Sequence, residues 1–216
     1  MSIANKNILL GVTGGIAAYK APDLVRKLTA LGANVRVVIT NSAAEFVSPL
    51  SLQAVSGNPV HQHLLDPAAE AAMGHIELAK WADILLIAPA TANTLAKLAH
   101  GMADDLLTTL YLATTAKLYI APAMNQQMWK AVATQRNIDT LKTDGVTFIG
   151  PASGEQACGD VGSGRMVEPV DIAEILNSDS KSSPSTSHTL NSLVGKNLTI
   201  TAGPTREPLD PVRYIS

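Results

Sequence analysis

Cysteine is almost missing from this chain of 216 residues: there is one, Cys158. No internal disulfide can form, which fits a reducing, cytoplasmic setting. Aromatic residues are scarce at 4 %, which suits closely packed helices over a sheet better than a β-sandwich. Charge is also low, 16 % of residues with a net charge of −2. No basic run points to nucleic acid. No apolar stretch approaches the roughly 18 residues of a membrane span, so no membrane is expected as a partner. The first apolar run, residues 8–12, is broken by glycine and too short for a signal peptide. No pair of histidines and cysteines has metal-ligand spacing, so no metal is expected. What is plentiful is alanine and leucine, and apolar residues reach 46 %. That is enough for one well-filled domain and a remainder.

Short β-rich runs alternate with helical patterns. Strands are expected over residues 7–12, 35–40, 84–88, 118–121 and 146–149. Between them, helical spacing is read over 17–31, from Ser42 with Glu45 in capping-box register, over 49–57 after Ser48, from Asp66-Pro67 to Gly74, and from Gly74 into the third strand. Further helices are read over 93–98, 105–113, 126–141 and 170–176. Strands apolar on both faces and separated by helices predict a doubly wound parallel α/β sheet, Rossmann- or flavodoxin-like, covered on both sides. This domain is assigned to residues 1–176. Residues 177–192, rich in Ser, Thr, Asn and Lys, read as a flexible linker. Residues 193–216 read as the opening of a second α/β domain, too short to complete one.

The first strand runs into Gly11-Val-Thr-Gly14-Gly15-Ile16-Ala17-Ala-Tyr19. Glycines at such a turn let backbone approach a phosphate, and a helix start offers N–H groups to an anion. The spacing matches neither the dinucleotide fingerprint nor a P-loop. The second strand ends in Thr40-Asn-Ser42, hydroxyls rather than the acid that an NAD ribose requires. A mononucleotide such as FMN therefore fits better than NAD, with a plain tight strand–helix turn as the alternative. The next two strands end in Pro89-Ala-Thr91-Ala92-Asn93-Thr94 and Pro122-Ala123-Met124-Asn125-Gln-Gln-Met128-Trp129. Ligands of open α/β sheets bind at strand carboxyl ends. Helix capping accounts for Thr91 or Asn93 singly, but not for two similar endings on neighbouring strands.

Three residues are candidates for chemistry. His75 stands at a helix start, which disfavours a charged imidazole and leaves it able to accept a proton near neutral pH; a capping or surface histidine is the alternative. Asn125 can orient a carboxylate or oxyanion, with Met124 and Met128 as apolar walls. Cys158 lies in a glycine-rich loop, where packing gains little. No flanking lysine or histidine marks it as a nucleophile, so acid or redox duty fits it better. An incidental loop cysteine is the other reading.

Gly14-Gly15-Ile-Ala-Ala, Gly74-His75-Ile, Pro89-Ala-Thr91-Ala-Asn93-Thr94, Pro122-Ala-Met-Asn125-x-x-Met-Trp129 and the Cys158 loop together resemble the homo-oligomeric flavin-containing cysteine decarboxylases. The likeness runs over residues 1 to about 176, and is greatest to the phosphopantothenoylcysteine decarboxylase half of bifunctional coenzyme A biosynthesis proteins. Thr91 departs mildly, standing where many members have Ser. Residues 199–216 resemble the start of the phosphopantothenate–cysteine ligase half. No ligase activity is expected of this chain, and CTP and Mg2+ would serve that half only. The resemblance implies that the thiol of 4′-phospho-N-pantothenoylcysteine is oxidised by FMN to a thioaldehyde. The β-carboxylate then leaves as CO2, and hydride returns from the reduced cofactor to give 4′-phosphopantetheine. It implies His75 as base, Asn125 as holder of the substrate carboxylate, and Cys158 as proton donor in the last reduction. Gly15, Ile16 and Ala17 would face the FMN phosphate, with Thr40 and Ser42 nearby, while Thr91, Ala92, Asn93, Thr94 and Ala123 line the flavin. It further implies trimers with FMN at subunit interfaces, or dodecamers in bifunctional members. Three competing readings are an FMN-binding regulatory subunit without turnover, a flavin prenyltransferase relative, which the Pro-Ala-Met-Asn motif disfavours, and an NAD-dependent reductase, which the missing acid disfavours.

Overall fold

A computed structural model describes residues 2–64, 74–157, 159–179, 207–208 and 214–215. Six parallel strands form one sheet: β1 (Asn7–Val12), β2 (Asn34–Ile39), β3 (Val60–His61), β4 (Ile84–Ala90), β5 (Lys117–Pro122) and β6 (Thr147–Phe148), in the spatial order β3-β2-β1-β4-β5-β6. Every neighbouring pair in that sheet is parallel. The apolar runs explain the layering. In β4 every residue is buried, with Ile84, Leu86 and Ala88 in one core and Leu85, Ile87 and Ala90 in the other. From Ile84 to Ala88 this is the two-residue period of a strand packed on both faces; an irregularity between Ile87 and Ala90 shifts the register at its end.

The first core is closed by α1 (Ala21–Ala30), α3 (Pro49–Ser56) and α9 (Pro169–Asp179), through Leu24, Val25, Leu28, Leu52, Ile172 and Leu176. The second is closed by α4 (His75–Trp81), α5 (Ala92–Ala99), α6 (Leu106–Ala113) and α8 (Val132–Thr143), through Leu78, Leu95, Leu98, Leu107, Leu110, Ile138 and Leu141. Burying one such side chain stabilises by about 1.5–3 kcal/mol. The doubly wound parallel fold expected from the sequence is therefore what these residues form.

Several local expectations are corrected. The helix read over 17–31 is a 3-10 turn, Ile16–Lys20, followed by α1. Ser42 does not begin a helix. Thr40 caps the short α2 (Asn41–Ala44) by accepting from Ala43 N at 3.2 Å, because it is Thr40 that stays extended at the strand end. The helix read over 126–141 is two, α7 (Gln126–Lys130) and α8, broken at the extended Ala131. The Gln135 amide takes up the Trp129 carbonyl left at that break. The glycine-rich stretch read as a loop is an antiparallel hairpin, β7 (Ala152–Glu155) with β8 (Val161–Arg165). The last helix continues to Asp179 rather than stopping at 176. The helical stretch read from Asp66 falls largely on residues 65–73, outside the described residues, as does most of the linker read over 177–192. The chain divides into two compact units, residues 1–183 and 184–216. In the second, β9 (Glu207–Pro208) pairs antiparallel with β10 (Tyr214–Ile215).

Candidate functional site

The strand order reverses between β1 and β4, and open α/β sheets place their ligand crevices at that point, beyond the strand carboxyl ends. Thr13, 1 % exposed, ties the two ends together there. Its Oγ1 donates to Pro89 O at 2.8 Å and accepts from Thr91 N at 3.1 Å. The chain after β1 passes through Gly14 and Gly15 into the 3-10 turn. Gly14 is required by packing: a Cβ there would stand 2.3 Å from Ser42 Cβ. Gly15 is different. Its φ of −176° is open to any residue, and a Cβ would meet nothing nearer than Thr91 Cγ2 at 3.8 Å.

Above this turn lies a cavity of about 650 Å3. Gly14, Gly15, Ile16 and Ala17 form one wall, Thr91 and Ala92 a second, and Ala123, Met124, Asn125 and Met128 a third. The hairpin supplies the rest through Glu155, Gln156, Ala157, Gly164 and Arg165. Another hollow of about 620 Å3 runs along α8 between Lys130 and Asp144 and holds none of the candidate residues.

Asn125 stands before α7 as its cap. Its Oδ1 accepts from Gln127 N at 2.8 Å, and its Nδ2 donates to Asp160 Oδ2 at 3.1 Å. The amide therefore already holds a carboxylate. The hairpin is pressed onto this segment: Met124 N donates to Gly164 O at 2.9 Å. Gly164 has φ 142°, and a Cβ on it would fall 2.3 Å from Met124 O, so only glycine fits. At the hairpin base the buried Lys20 donates to Glu168 Oε1 at 2.7 Å and to Met166 O at 3.4 Å. Arg165 Nη2 donates to the same Glu168 oxygen at 3.4 Å.

The structure thus brings Gly15, Ile16, Ala17, Thr91, Ala92, Ala123 and Asn125 around one cavity. Others it uses differently. The Thr40 hydroxyl is a helix cap, and Ser42 packs on Gly14. Asn93 is exposed, and the buried Thr94 pairs its hydroxyl with that of Thr91 at 3.0 Å. His75, half-buried at the first position of α4, does not line the cavity of its own chain. Cys158 lies outside the described residues, between Ala157 and Gly159 of the hairpin turn. Sequence reasoning missed Tyr19, Lys20, Glu155, Gln156, Arg165 and Met166 as cavity residues. The sequence held no apolar alternation to mark the hairpin: its strands, Ala-Ser-Gly-Glu and Val-Gly-Ser-Gly-Arg, carry three glycines between them. Among the described residues no group of three or more His, Cys, Asp or Glu could hold a metal ion, and no helix is long and apolar enough to cross a membrane.

The sequence profile of the Flavoprotein family matches residues 2–180. That of the DNA/pantothenate metabolism flavoprotein C-terminal domain matches residues 193–216. The coenzyme A biosynthesis bifunctional protein CoaBC of Vibrio cholerae is 59 % identical over 215 residues, which is 100 % of this chain and 52 % of that protein. The chain thus spans about half the length of the curated relatives it matches. Among solved structures, a PPC decarboxylase cysteine-to-serine mutant complexed with pantothenoylaminoethenethiol superposes with a TM-score of 0.73 at 37 % identity, covering 82 % of this chain and 100 % of that one. The FMN binding protein AtHal3 gives 0.72 at 37 % identity, over 83 % and 99 %.

Proposed function

This chain belongs to the Flavoprotein family, and from that premise we propose that it decarboxylates 4′-phospho-N-pantothenoylcysteine to 4′-phosphopantetheine with FMN, in coenzyme A biosynthesis. The observation that carries the reading is the cavity at the strand-order reversal, where Asn125 Nδ2 already meets a carboxylate, that of Asp160.

The residues present fit the cofactor. Among the described residues nothing requires glycine at position 15, and in this reading the space above it takes the ligand. The turn beside it begins a 3-10 helix, whose Ile16 and Ala17 N–H groups lack intrahelical acceptors and suit a phosphate. Ala92, Ala123, Met124 and Met128 offer small or flexible apolar surface to a flat ring. FMN, when bound, supplies the two-electron redox chemistry, and the protein supplies orientation and protons.

Within that arrangement Asn125 Nδ2 holds the substrate carboxylate before it leaves as CO2. His75 acts as the base that takes the thiol proton, and Cys158 returns a proton in the final reduction. Because His75 does not line the cavity, the reading includes a homo-oligomer, a trimer or a dodecamer, in which another copy supplies it. Ile16 and Tyr19, 61 % and 63 % exposed at the cavity rim, are apolar surface for such a contact. The setting is cytoplasmic. Residues 193–216, which match the DNA/pantothenate metabolism flavoprotein C-terminal domain, open in this reading a ligase domain.

The test is CO2 release from phosphopantothenoylcysteine by the purified chain, which is expected to be yellow and to release FMN on denaturation. A colourless protein, or a flavoprotein that releases no CO2, overturns the reading.

A further inference from the structure

The side-chain amide of Gln156 spans the segment that carries Asn125. Its Oε1 accepts from Gln126 N at 3.0 Å, and its Nε2 donates to Met124 O at 3.2 Å. These are the two peptide neighbours of Asn125. Gln126 is the first residue of α7, where an N–H has no acceptor within the helix. The next N–H, that of Gln127, is taken by Asn125 Oδ1. Gln156 and Asn125 thus share the start of one short helix, and neither amide can rotate without stranding a backbone donor. Flipping Gln156 would also set its oxygen against the Met124 carbonyl.

With Oδ1 committed to the cap, Asn125 turns its Nδ2 outward, onto the Asp160 carboxylate. Gln156 acts on that side too. Its backbone N donates to Asp160 O at 2.7 Å, and Gly159 N donates to Gln156 O at 2.9 Å. One residue therefore fixes the backbone on both sides of Asn125 and closes the turn that bears Asp160. The pattern exceeds what holding a hairpin down requires, since Met124 N and Gly164 O already do that.

We propose that Gln156 is a positioning residue that sets the Asn125 amide to receive the carboxylate of a ligand. This rests on the reading of Asn125 given above. The two bonds act in concert: loss of the Gln156 amide frees the peptides at 124 and 126, and the aim of Nδ2 is lost with them.

The test is Gln156→Met in the full chain with FMN bound. Methionine keeps length and bulk while removing both hydrogen bonds. Three quantities are compared with the natural chain: KM for phosphopantothenoylcysteine, the inhibition constant of 4′-phosphopantetheine, which lacks the carboxylate, and hydrogen exchange at the Gln126 amide. KM is expected to rise about tenfold, equivalent to one lost charge-assisted contact. The phosphopantetheine constant is expected to stay unchanged, and Gln126 to exchange faster. A merely structural clip would weaken both ligands alike, and that result overturns the proposal, as does an unchanged KM. Should the variant fail to fold, rapid exchange at Gln126 in the natural chain overturns it equally, because a protected first-turn amide is the direct mark of the Gln156 bond. A natural chain that releases no CO2 sinks the parent reading and this inference together. An active natural chain with an unchanged ligand ratio in the variant sinks this inference alone.

Discussion

Gly14 and Gly15 are neighbours in one turn and are glycine for opposite reasons. A methyl at 14 meets Ser42 Cβ at 2.3 Å and the Ser42 carbonyl carbon at 2.7 Å, so backbone must move. Gly14→Ala is expected to cost about 1–3 kcal/mol, lowering Tm by roughly 2–4 °C for each kcal/mol in a chain of this size. A methyl at 15 meets only Thr91 Cγ2 at 3.8 Å and enters the cavity. Gly15→Ala is expected to leave Tm of the flavin-free chain unchanged and to lower the flavin content of the purified protein. Thermal unfolding and flavin-to-protein absorbance separate the two. Equal Tm losses in both variants would show that the space at 15 belongs to the protein. The pair also shows what a sequence displays at this scale. Glycines after a strand mark a close approach, but not what approaches. In the same way Thr40 and Ser42 have the right hydroxyls for a phosphate, yet the sequence does not display that Thr40 also caps its own helix, accepting from Ala43 N, or that Ser42 packs on Gly14. Gln156 was invisible as a site residue because its partners lie 30 and 32 positions away.

Elements were legible where one periodicity ruled. β1, β4 and β5 are apolar on both faces and stand out as short runs between helical patterns. The hairpin β7–β8 was not, because its strands carry three glycines and no apolar alternation, and the contact that docks it, Met124 N to Gly164 O, joins residues far apart in sequence. The end of α9 was also obscured. Asn177, Ser178 and Asp179 read as linker, yet Asn177 Oδ1 accepts from Ile3 N at 3.2 Å and Asp179 accepts from the buried Tyr119 hydroxyl. Burial first, and then the Asp179 carboxylate, push the Tyr119 phenol well above its ordinary range. A raised folded-state pKa contributes stability that is fully present below the unfolded value, about 10, and is lost as pH climbs past it. Tyr119→Phe removes this hydrogen bond to a half-exposed carboxylate, worth about 1 kcal/mol, so Tm at neutral pH should fall by roughly 2–4 °C. Above pH 10 the gap between variant and natural chain should narrow, as measured by Tm against pH. A gap constant through the alkaline range would mean that Tyr119 titrates alike folded and unfolded.

For the whole molecule, the proposed function joins in one site two candidate residues that do not line the same cavity. Asn125 lines the cavity, whereas His75 stands at the start of α4 and does not. In the proposed assembly each site draws Asn125 from one chain and His75 from a neighbour across a repeated interface. Two variants then define a quantitative outcome. His75→Asn alone and Asn125→Ala alone should each be inactive as pure oligomers. Co-expressed in equal amounts, they assemble at random. A given site keeps its native asparagine in half the cases and its native histidine, independently, in half. About a quarter of the natural activity per site should therefore return, as statistics of a shared interface require. If both residues served a site within one chain, every copy would lack one of them, and mixing would restore nothing. Activity near a quarter supports shared sites, and activity at the level of the pure variants excludes them. The same mixture should run in sedimentation at the mass of the natural oligomer, since neither substitution touches the exposed apolar rim at Ile16 and Tyr19. A monomeric mass for the natural chain would exclude a shared site directly.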